Sequence, residues 1–371
     1  MKQISKISVS LFLALIIAVS AAFSSFGASA QTFLTDAQAT VLTASDFQDT
    51  GTKAYDRFGR ILADMKNDGM PTPDSMLVGG DYTKLLFDNA IPGISQIRMH
   101  LTEVYPEADA DSVVCIQGNH DNMISAFTKT GYYDMGAYNL YVINEDDFPW
   151  KQGDRAGAED KIKNIGADLE KCLDSLIANQ DHRPFIAMTH LPLHHTSRNS
   201  YGDNRYAAYI FEPLNKAGET LDIVFLFGHQ HSGTYDDYIG GAVNFLKCGD
   251  TIKVPSLQKR GEDGFTQETL NFTYLNCGYI GYTNNSDSDT STSALTLGAL
   301  QICDDSLHFV KYSENGLFRT WDVERKTTSE PKERTSNPEM VDRAKWEKQN
   351  SFFMKLFEFY LMLVKLFSFS R

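Results

Sequence analysis

Short apolar runs alternate with amphipathic segments along the chain up to Gln230. The runs are bounded by glycine, asparagine or acidic residues, as buried strands usually are. In the segments between them, apolar residues recur every three or four positions, which is the spacing of an amphipathic helix. The pattern predicts strands over 39–45, 75–78, 112–117, 137–144, 184–188 and 222–227, and helices over 53–67, 92–105, 159–178 and 206–217. Such alternation is typical of an α/β domain with a parallel or mixed sheet.

A different pattern begins at Thr269, where strand-like runs and turn residues follow one another without helical spacing. The runs cover 269–281, 294–303, 307–312 and 317–323. We therefore expect a second sheet that packs on the first within one domain, which we place at residues 31–325.

The first thirty residues have the three parts of a secretory signal peptide. Two lysines precede the apolar stretch 11–23, and small residues at 28–30 match the pattern that signal peptidase recognises. The apolar stretch is shorter than the ~20 residues that a membrane-spanning helix needs. We therefore expect residues 1–30 to be removed and the mature protein, beginning at Gln31, to lie outside the cytoplasm.

The C-terminal end of the chain divides into a charged part and an apolar part. Residues 326–349 are rich in charge and are expected to form a linker. In 350–371, phenylalanine and leucine cover most of a helical wheel, while Lys355, Glu358 and Lys365 fall on one narrow stripe. This pattern favours an amphipathic helix that lies in a membrane surface. Docking of the helix on the domain or on a partner is an equal alternative.

Charge and cysteine content limit the classes of partner and site. The formal net charge of −14 would repel a nucleic-acid backbone, so we expect no nucleic-acid partner. The five cysteines are widely spaced, odd in number and without a Cys-x-x-Cys pair. Neither a disulfide-dense fold nor a structural zinc site is therefore expected.

Five of the predicted strands end in side chains that can bind a metal ion. These residues are Asp46 and Gln48, Asp81, Asn119 and His120, His190, and His229 and His231. Because the carboxyl ends of strands in a parallel or mixed sheet lie along one edge, we expect the side chains to converge. Mixed oxygen and imidazole ligands suit Mn, Fe, Zn or Co better than Ca or Mg. The number of ligands is enough for two divalent or trivalent ions.

The tetrapeptide at 118–121 reads Gly-Asn-His-Asp, and the one at 228–231 reads Gly-His-Gln-His. In this order along the chain, with Asp-x-Gln at 46–48, Gly-Asp at 80–81 and His190, they resemble the calcineurin-like metallophosphoesterase superfamily, of the exported bacterial type. The resemblance implies an α+β fold of four layers, α/β/β/α, in which two mixed sheets form a β-sandwich flanked by helices. It also implies a dinuclear metal centre at the C-terminal tips of the strands.

The resemblance assigns a role to each residue of the site. The implied ligands are Asp81 as the bridge, Asp46, Gln48 and His231 for one ion, and Asn119, His190 and His229 for the other. His120 is similar to the catalytic histidine of the family, which contacts the substrate phosphate and protonates the leaving oxygen. The family usually has a histidine where this chain has Gln48, and an amide oxygen is a weaker ligand than imidazole. The occupancy and identity of the first ion are therefore open.

The implied activity is hydrolysis of phosphomonoesters or phosphodiesters by a water or hydroxide that bridges the metal ions. His194, His195 and Arg198 follow His190 closely and are expected to line the substrate pocket, where Arg198 would meet an anion. The alternative is a catalytically degenerate relative that keeps the fold as a binding module at the cell envelope. In that case, the weaker ligand at Gln48 would have reduced metal binding and with it the catalytic activity.

Overall fold

The structure is a computed structural model of the chain. The residues it describes are 32–49, 52–82, 90–121, 126–144, 157–193, 206–231, 245–256, 265–281, 295–340 and 343–368. The predicted signal peptide lies outside the described residues, and so do His194, His195 and Arg198.

Apolar spacing predicted the helices well, and α1 buries the expected face with Tyr55, Phe58 and Ile61. The described helices are α1 (Lys53–Asn67), α2 (Ile91–Val104), α3 (Ala158–Ala178), α4 (Ala208–Ala217) and α5 (Arg343–Ser368). The described strands are β1 (Ala39–Ala44), β2 (Ser75–Val78), β3 (Val113–Cys115), β4 (Gly131–Asp134), β5 (Asn139–Ile143), β6 (Phe185–Thr189), β7 (Ile223–Phe227), β8 (Phe245–Leu246), β9 (Thr251–Pro255), β10 (Phe265–Thr269), β11 (Thr273–Asn276), β12 (Thr296–Ile302), β13 (Ser306–Ser313) and β14 (Gly316–Glu324).

Twelve of these strands form two six-stranded sheets, and β9 pairs with β10 in a small third one. Sheet 1 has the order β14-β13-β12-β1-β2-β3, with β1, β2 and β3 parallel. Sheet 2 has the order β4-β5-β6-β7-β11-β8, with β5, β6, β7 and β11 parallel. Antiparallel strands are added to both sheets, so both are mixed.

The prediction that the C-terminal strands form a sheet of their own is wrong. Strand β12 pairs with β1 and extends sheet 1, while β11 pairs with β7 and extends sheet 2. Without β12, the edge of β1 would present unpaired N–H and C=O groups. Both faces of β1, β11 and β12 are buried. Such a pattern shows that a strand is covered on both faces, but it does not show which neighbour the strand pairs with.

Three apolar clusters separate four layers. The first cluster includes Phe58 and lies between helices α1 and α2 and the outer face of sheet 1. The second includes Leu169 and lies between helices α3 and α4 and the outer face of sheet 2. The third joins the two sheets and includes Leu77 from sheet 1 and Ile186 from sheet 2. The predicted α/β/β/α sandwich of two mixed sheets is confirmed.

The segment 326–340, which the sequence predicted to be a linker, lies against the domain. The backbone N–H of Lys326 donates to Asp222 Oδ1 at 2.8 Å, and that of Lys332 donates to the carbonyl oxygen of Gly136 at 3.0 Å. Helix α5 begins within the predicted linker, earlier than position 350. A high charge content indicates contact with water, but it does not reveal specific bonds such as these.

Helix α5 has 26 residues, which corresponds to a length of roughly 39 Å. Lys355, Glu358 and Lys365 interrupt its apolar sequence. No helix in the described part of the chain is both long enough and apolar enough to cross a membrane.

Candidate metal centre

The predicted site residues lie at the carboxyl ends of five strands, where the two sheets face each other. They are Asp46 and Gln48 after β1, Asp81 after β2, Asn119 and His120 after β3, His190 after β6, and His229 and His231 after β7. Hydrogen bonds and close contacts connect all of them. The structure therefore brings the whole predicted set together, at the edge where the C-terminal tips of strands from both sheets meet.

Five of these residues have left-handed backbone conformations, which are uncommon for residues other than glycine. Their φ angles are 55° at Asp46, 37° at Gln48, 58° at Asp81, 69° at His229 and 48° at His231. Elsewhere in the described chain, Gln180 alone among non-glycine residues has a positive φ. Strain of this kind persists only where the surrounding structure maintains it, and it is concentrated at functional sites.

Asp81 lies at the middle of the site and is completely buried. Its Oδ1 accepts a hydrogen bond from the backbone N–H of His120 at 2.9 Å. Its Oδ2 accepts one from the Gln48 amide at 2.5 Å and lies 3.5 Å from His190 Nε2. Burial would raise the pKa of this carboxyl, but the charge and hydrogen bond of His190 outweigh burial, so the pKa lies below its usual range.

Asn119, His190 and His229 form one group of possible ligands. Asn119 Oδ1 lies 2.8 Å from His190 Nε2 and 2.9 Å from His229 Nδ1. The other ring nitrogen of His190, Nδ1, lies 2.6 Å from the carbonyl oxygen of Gly79. Because a carbonyl oxygen can only accept, Nδ1 carries the proton and Nε2 is the nitrogen directed into the site.

Asp46 and His231 form a second group of possible ligands. Asp46 Oδ2 accepts hydrogen bonds from the Ser45 hydroxyl at 2.6 Å and from the backbone N–H of His229 at 2.9 Å. Asp46 Oδ1 lies 3.2 Å from His231 Nε2, but the geometry is not that of a hydrogen bond. This oxygen and His231 Nδ1 are buried without a hydrogen-bond partner among the described residues.

Two buried histidines of the site have pKa values shifted in opposite directions. For His190, burial would lower the pKa, but the negative charge of Asp81 outweighs burial and raises it to about 10. For His229, burial and then the positive charge of His190 lower the pKa to about 3. In the protein without metal, a proton on His190 therefore supplies a positive charge that stabilises the carboxylates of Asp81 and Asp46.

The donor set fits a metal centre. Asp46, Asp81 and His190 each direct one ligand atom into the site, and these atoms all lie within 4.8 Å of one another. A buried carboxylate oxygen that accepts no hydrogen bond, such as Asp46 Oδ1, is costly unless a cation or proton is close to it. Carboxylate, amide and imidazole ligands together suit divalent metals of the Mn, Fe, Co and Zn series.

Two glycines let the loops approach closely enough to form the site. A Cβ atom on Gly118 would collide with the Asp81 carboxylate, and one on Gly228 would collide with the Ser45 hydroxyl. This steric requirement explains the glycine that begins both tetrapeptide motifs.

Asp121 is a structural residue to which the sequence analysis gave no role. Its Oδ2 accepts hydrogen bonds at 2.8 Å from the backbone N–H groups of Asp81 and Gly118, and its Oδ1 accepts one at 3.1 Å from Tyr82. It thereby ties the loop after β3 to the loop after β2. Burial, followed by the charge of Asp81, raises the pKa of Asp121 to about 7. Its place in the tetrapeptide was the signal that could have found it.

Tyr279, after β11, is a second residue that the sequence analysis missed. Its ring is stacked on that of His231, with centroids 4.9 Å apart and an interplanar angle of 7°. The stacking restricts the imidazole to the plane in which Nε2 faces Asp46. Tyr279 lies outside every motif, so the sequence held no signal for it.

His120 differs from the other histidines of the site because its side chain is 46% exposed. Its Nε2 lies 4.0 Å from Asp81 Oδ2, while its backbone N–H is bonded to the same carboxylate. The backbone therefore holds the residue at the site and leaves the imidazole open to a substrate.

Comparison with solved structures finds similar chains of low identity. A dimetal phosphatase from Danio rerio is 10% identical, with a TM-score of 0.45 over 79% of this chain and 100% of that one. GAP50, described as the anchor in the inner membrane complex of Plasmodium, is 12% identical, with a TM-score of 0.42 over 78% and 90%. PhoD is 10% identical, with a TM-score of 0.41 over 86% and 78%.

Comparison with curated protein sequences finds no match. The family model described as calcineurin-like phosphoesterase matches residues 39–233, which contain every residue of the site described above except Tyr279. More than half of the chain is covered by this match. The chain therefore belongs to the calcineurin-like phosphoesterase family.

Proposed function

We propose that this phosphoester hydrolase acts outside the cytoplasm on phosphomonoesters or phosphodiesters, with two metal ions (Mn, Fe, Zn or Co) held by the candidate centre. The position of Asp81 carries the proposal. It is completely buried, its Oδ2 lies 3.5 Å from His190 Nε2, and a ligand atom of Asp46 lies within 4.8 Å of one of its own, as expected for a carboxylate shared by two ions. Gln48 lies close enough to contribute its amide oxygen if the amide turns away from Asp81.

When bound, the metal ions supply Lewis-acid chemistry: they polarise the phosphoryl oxygens and lower the pKa of water between them. The protein positions the substrate and moves protons. The half-exposed imidazole of His120 lies at the mouth of the site, where it would contact the phosphate and protonate the leaving oxygen. His190 is oriented through Gly79 and His231 through Tyr279, so neither ring has to reorganise.

A second candidate function is supported by the Gln48 amide. As placed, it donates to the Asp81 oxygen that a metal ion would otherwise take. A degenerate relative that binds without catalysis at the cell envelope would have such a hydrogen bond in place of the first ion.

Hydrolysis of p-nitrophenyl phosphate and bis-p-nitrophenyl phosphate by the full chain, with metal content measured on the same sample, distinguishes the two functions. We expect His120→Ala to lower turnover by ~10²- to 10⁴-fold. Bound metal should stay unchanged because His120 is not a ligand in this proposal. His182→Ala is the matched control, because His182 precedes the first residue of β6 and the site lies after the last one. This variant should keep full turnover. A chain that binds no metal and hydrolyses neither ester would be the binding module.

Export is tested separately by the N-terminal sequence of the protein recovered outside the cytoplasm. We expect it to begin at Gln31. A mature protein that keeps residues 1–30 would contradict this part of the proposal.

A further inference from the structure

The first turns of α5 are docked on α2 and on the segment before β3. Arg343 forms an ion pair with Asp111 at 2.8 Å. The guanidinium of Arg98 lies over the Trp346 ring, 4.7 Å from its centroid. One turn further along, Ser95 is hydrogen bonded to Asn350. The beginning of α5 therefore has a defined position on the domain.

These contacts give the direction of α5. Trp346 contacts Arg98, and Asn350, four residues later in α5, contacts Ser95, three residues earlier in α2. The two helices are therefore antiparallel. Helix α2 follows β2 and leads back to the start of β3, so its first residue, Ile91, lies toward the edge of the sheet that carries the metal centre. The apolar half of α5 therefore runs toward that edge. It continues past Ile91 by about 14 residues, or roughly 20 Å.

Near the point where α5 passes the first residue of α2, it presents an apolar stripe to solvent. Phe352, Leu356 and Phe359 are 63%, 49% and 53% exposed, which makes them the most exposed large apolar residues among those whose side chains the structure describes. Their spacing of four and three residues places them on one face of the helix. A water-exposed stripe of this kind is typical of a surface that binds a partner or a lipid bilayer.

The charge of α5 distinguishes between these occupants. From Phe352 to its end the helix contains Lys355 and Lys365 but only one acidic residue, Glu358, while the whole chain has a net charge of −14. Apolar side chains flanked by lysines are complementary to anionic lipid headgroups. A second copy of this acidic chain has no such complementarity.

We propose that the exposed stripe of α5 binds an anionic lipid surface, and that this binding presents the metal centre to phosphoesters carried in that surface. The second part rests on the proposed hydrolase function. The direction of α5 is the reason for it: the stripe and the mouth of the site lie toward the same edge of the domain, and the docked first turns hold them in a fixed relation.

The first test is co-sedimentation of the full chain with vesicles of phosphatidylglycerol and phosphatidylcholine in equal amounts. We expect the triple variant Phe352→Ser, Leu356→Ser, Phe359→Ser to lower the vesicle-bound fraction at least about tenfold. Leu317→Ser, Phe318→Ser is the matched control, because it removes exposed apolar area from the β13–β14 hairpin. Vesicles of phosphatidylcholine alone should bind the wild type more weakly.

Two results would overturn the lipid assignment. One is binding of the triple variant as strong as that of the wild type. The other is a wild type that stays in the supernatant and forms a dimer by light scattering, which the triple variant abolishes, because a second copy would then cover the stripe.

The second test compares two esters with the same reacting group. Methyl p-nitrophenyl phosphate is dissolved in water, and hexadecyl p-nitrophenyl phosphate is embedded in the vesicles. We expect the triple variant to keep its rate on the soluble ester and to lose roughly tenfold on the embedded one. Equal rates of both proteins on the embedded ester would contradict the placement of the site. If the wild type hydrolyses neither, the diesterase function fails, and sedimentation still decides on lipid binding.

Discussion

His190 donates a hydrogen bond from Nδ1 to the backbone carbonyl oxygen of Gly79, across 2.6 Å. Gly79 follows the last residue of β2 and lies two residues before Asp81, and His190 follows the last residue of β6 in the other sheet. The strand that carries the central carboxylate therefore also orients a histidine from the opposite sheet. Support of this kind keeps Nε2 directed at the cation position and strengthens the imidazole as a ligand.

Metal binding should release a proton from His190. In the protein without metal the charge of Asp81 raises the pKa of His190 to about 10, so Nε2 is protonated at neutral pH. A metal ion must displace that proton, and its apparent affinity should rise with pH up to that value. We expect titration calorimetry with Mn²⁺ at pH 7.5, in two buffers of different ionisation enthalpy, to report release of about one proton. His190→Asn should show less release, and buffer-independent enthalpies for the wild type would refute the prediction.

Gln48→His should strengthen the weaker of the two ion positions. The Gln48 amide now donates to Asp81 at 2.5 Å, whereas an imidazole offers a better metal ligand at the same tip. We expect affinity for the second equivalent of metal to rise about tenfold, or ~1.4 kcal/mol, because imidazole replaces a weaker amide ligand. The measurement is metal retained after dialysis, determined by elemental analysis.

Gln180→His is the matched control for this variant. Gln180 also has a left-handed backbone, with φ 54°, but it follows α3 and lies away from the site. The Gln180→His substitution should leave the amount of retained metal unchanged. If both variants raised retention equally, non-specific binding by an added histidine would be the explanation.

Arg183 should contribute strongly to stability without affecting the metal centre. Its buried guanidinium bonds Asp181 and Asp134, each at 2.6 Å, at the end of sheet 2 opposite to the site. Arg183→Leu removes the buried cation that both carboxylates share and leaves Asp181 with the exposed Lys332 as its partner. The free energy of unfolding should therefore fall by roughly 3–5 kcal/mol in urea denaturation. Lys216→Leu, which breaks an exposed pair with Glu170, should change the free energy of unfolding far less, because water already solvates both charges. A similar fall in the free energy of unfolding of both variants would show that burial of the Arg183 ion pairs does not increase their contribution to stability.

Lys311 should make stability depend on pH above neutrality. Burial lowers its pKa from 10.5 to about 7. Between these values the unfolded chain holds a proton that the folded chain has released, so folding gains stability as pH rises. Relative to Lys311→Met, the free energy of unfolding should increase by roughly 1.4 kcal/mol per pH unit across this window. Denaturation at pH 6.5, 8 and 9.5 measures this difference.

Lys253→Met controls for the loss of a lysine, because Lys253 is exposed on β9. Its stability difference from the wild type should be nearly constant with pH. A constant difference for Lys311→Met as well would mean that the folded chain keeps Lys311 protonated.

The candidate site was predictable because each of its side chains lies within five residues of the end of a short apolar strand. The residues that follow such a strand lie at its C-terminal tip. The local sequence pattern alone therefore places Asp81 and His190 at this edge of the sheets. The motif residues Asn119 and His229 could be assigned before any contact between them was seen. Tyr279 could not be assigned, because its stacking on His231 depends on the position of β11 beside β7.

The sequence by itself determined the local elements, the ligand types at the strand tips and the family, since these depend on residues that are neighbours along the chain. Only the tertiary structure decided the division of the C-terminal strands between two sheets, the docking of segment 326–340 and the direction of α5 toward the edge that carries the metal centre. Each of these depends on pairing between distant backbone groups or side chains such as Arg98 and Trp346. Strands and helices of similar composition present similar hydrogen-bonding groups and apolar faces, so only packing in three dimensions selects their partners.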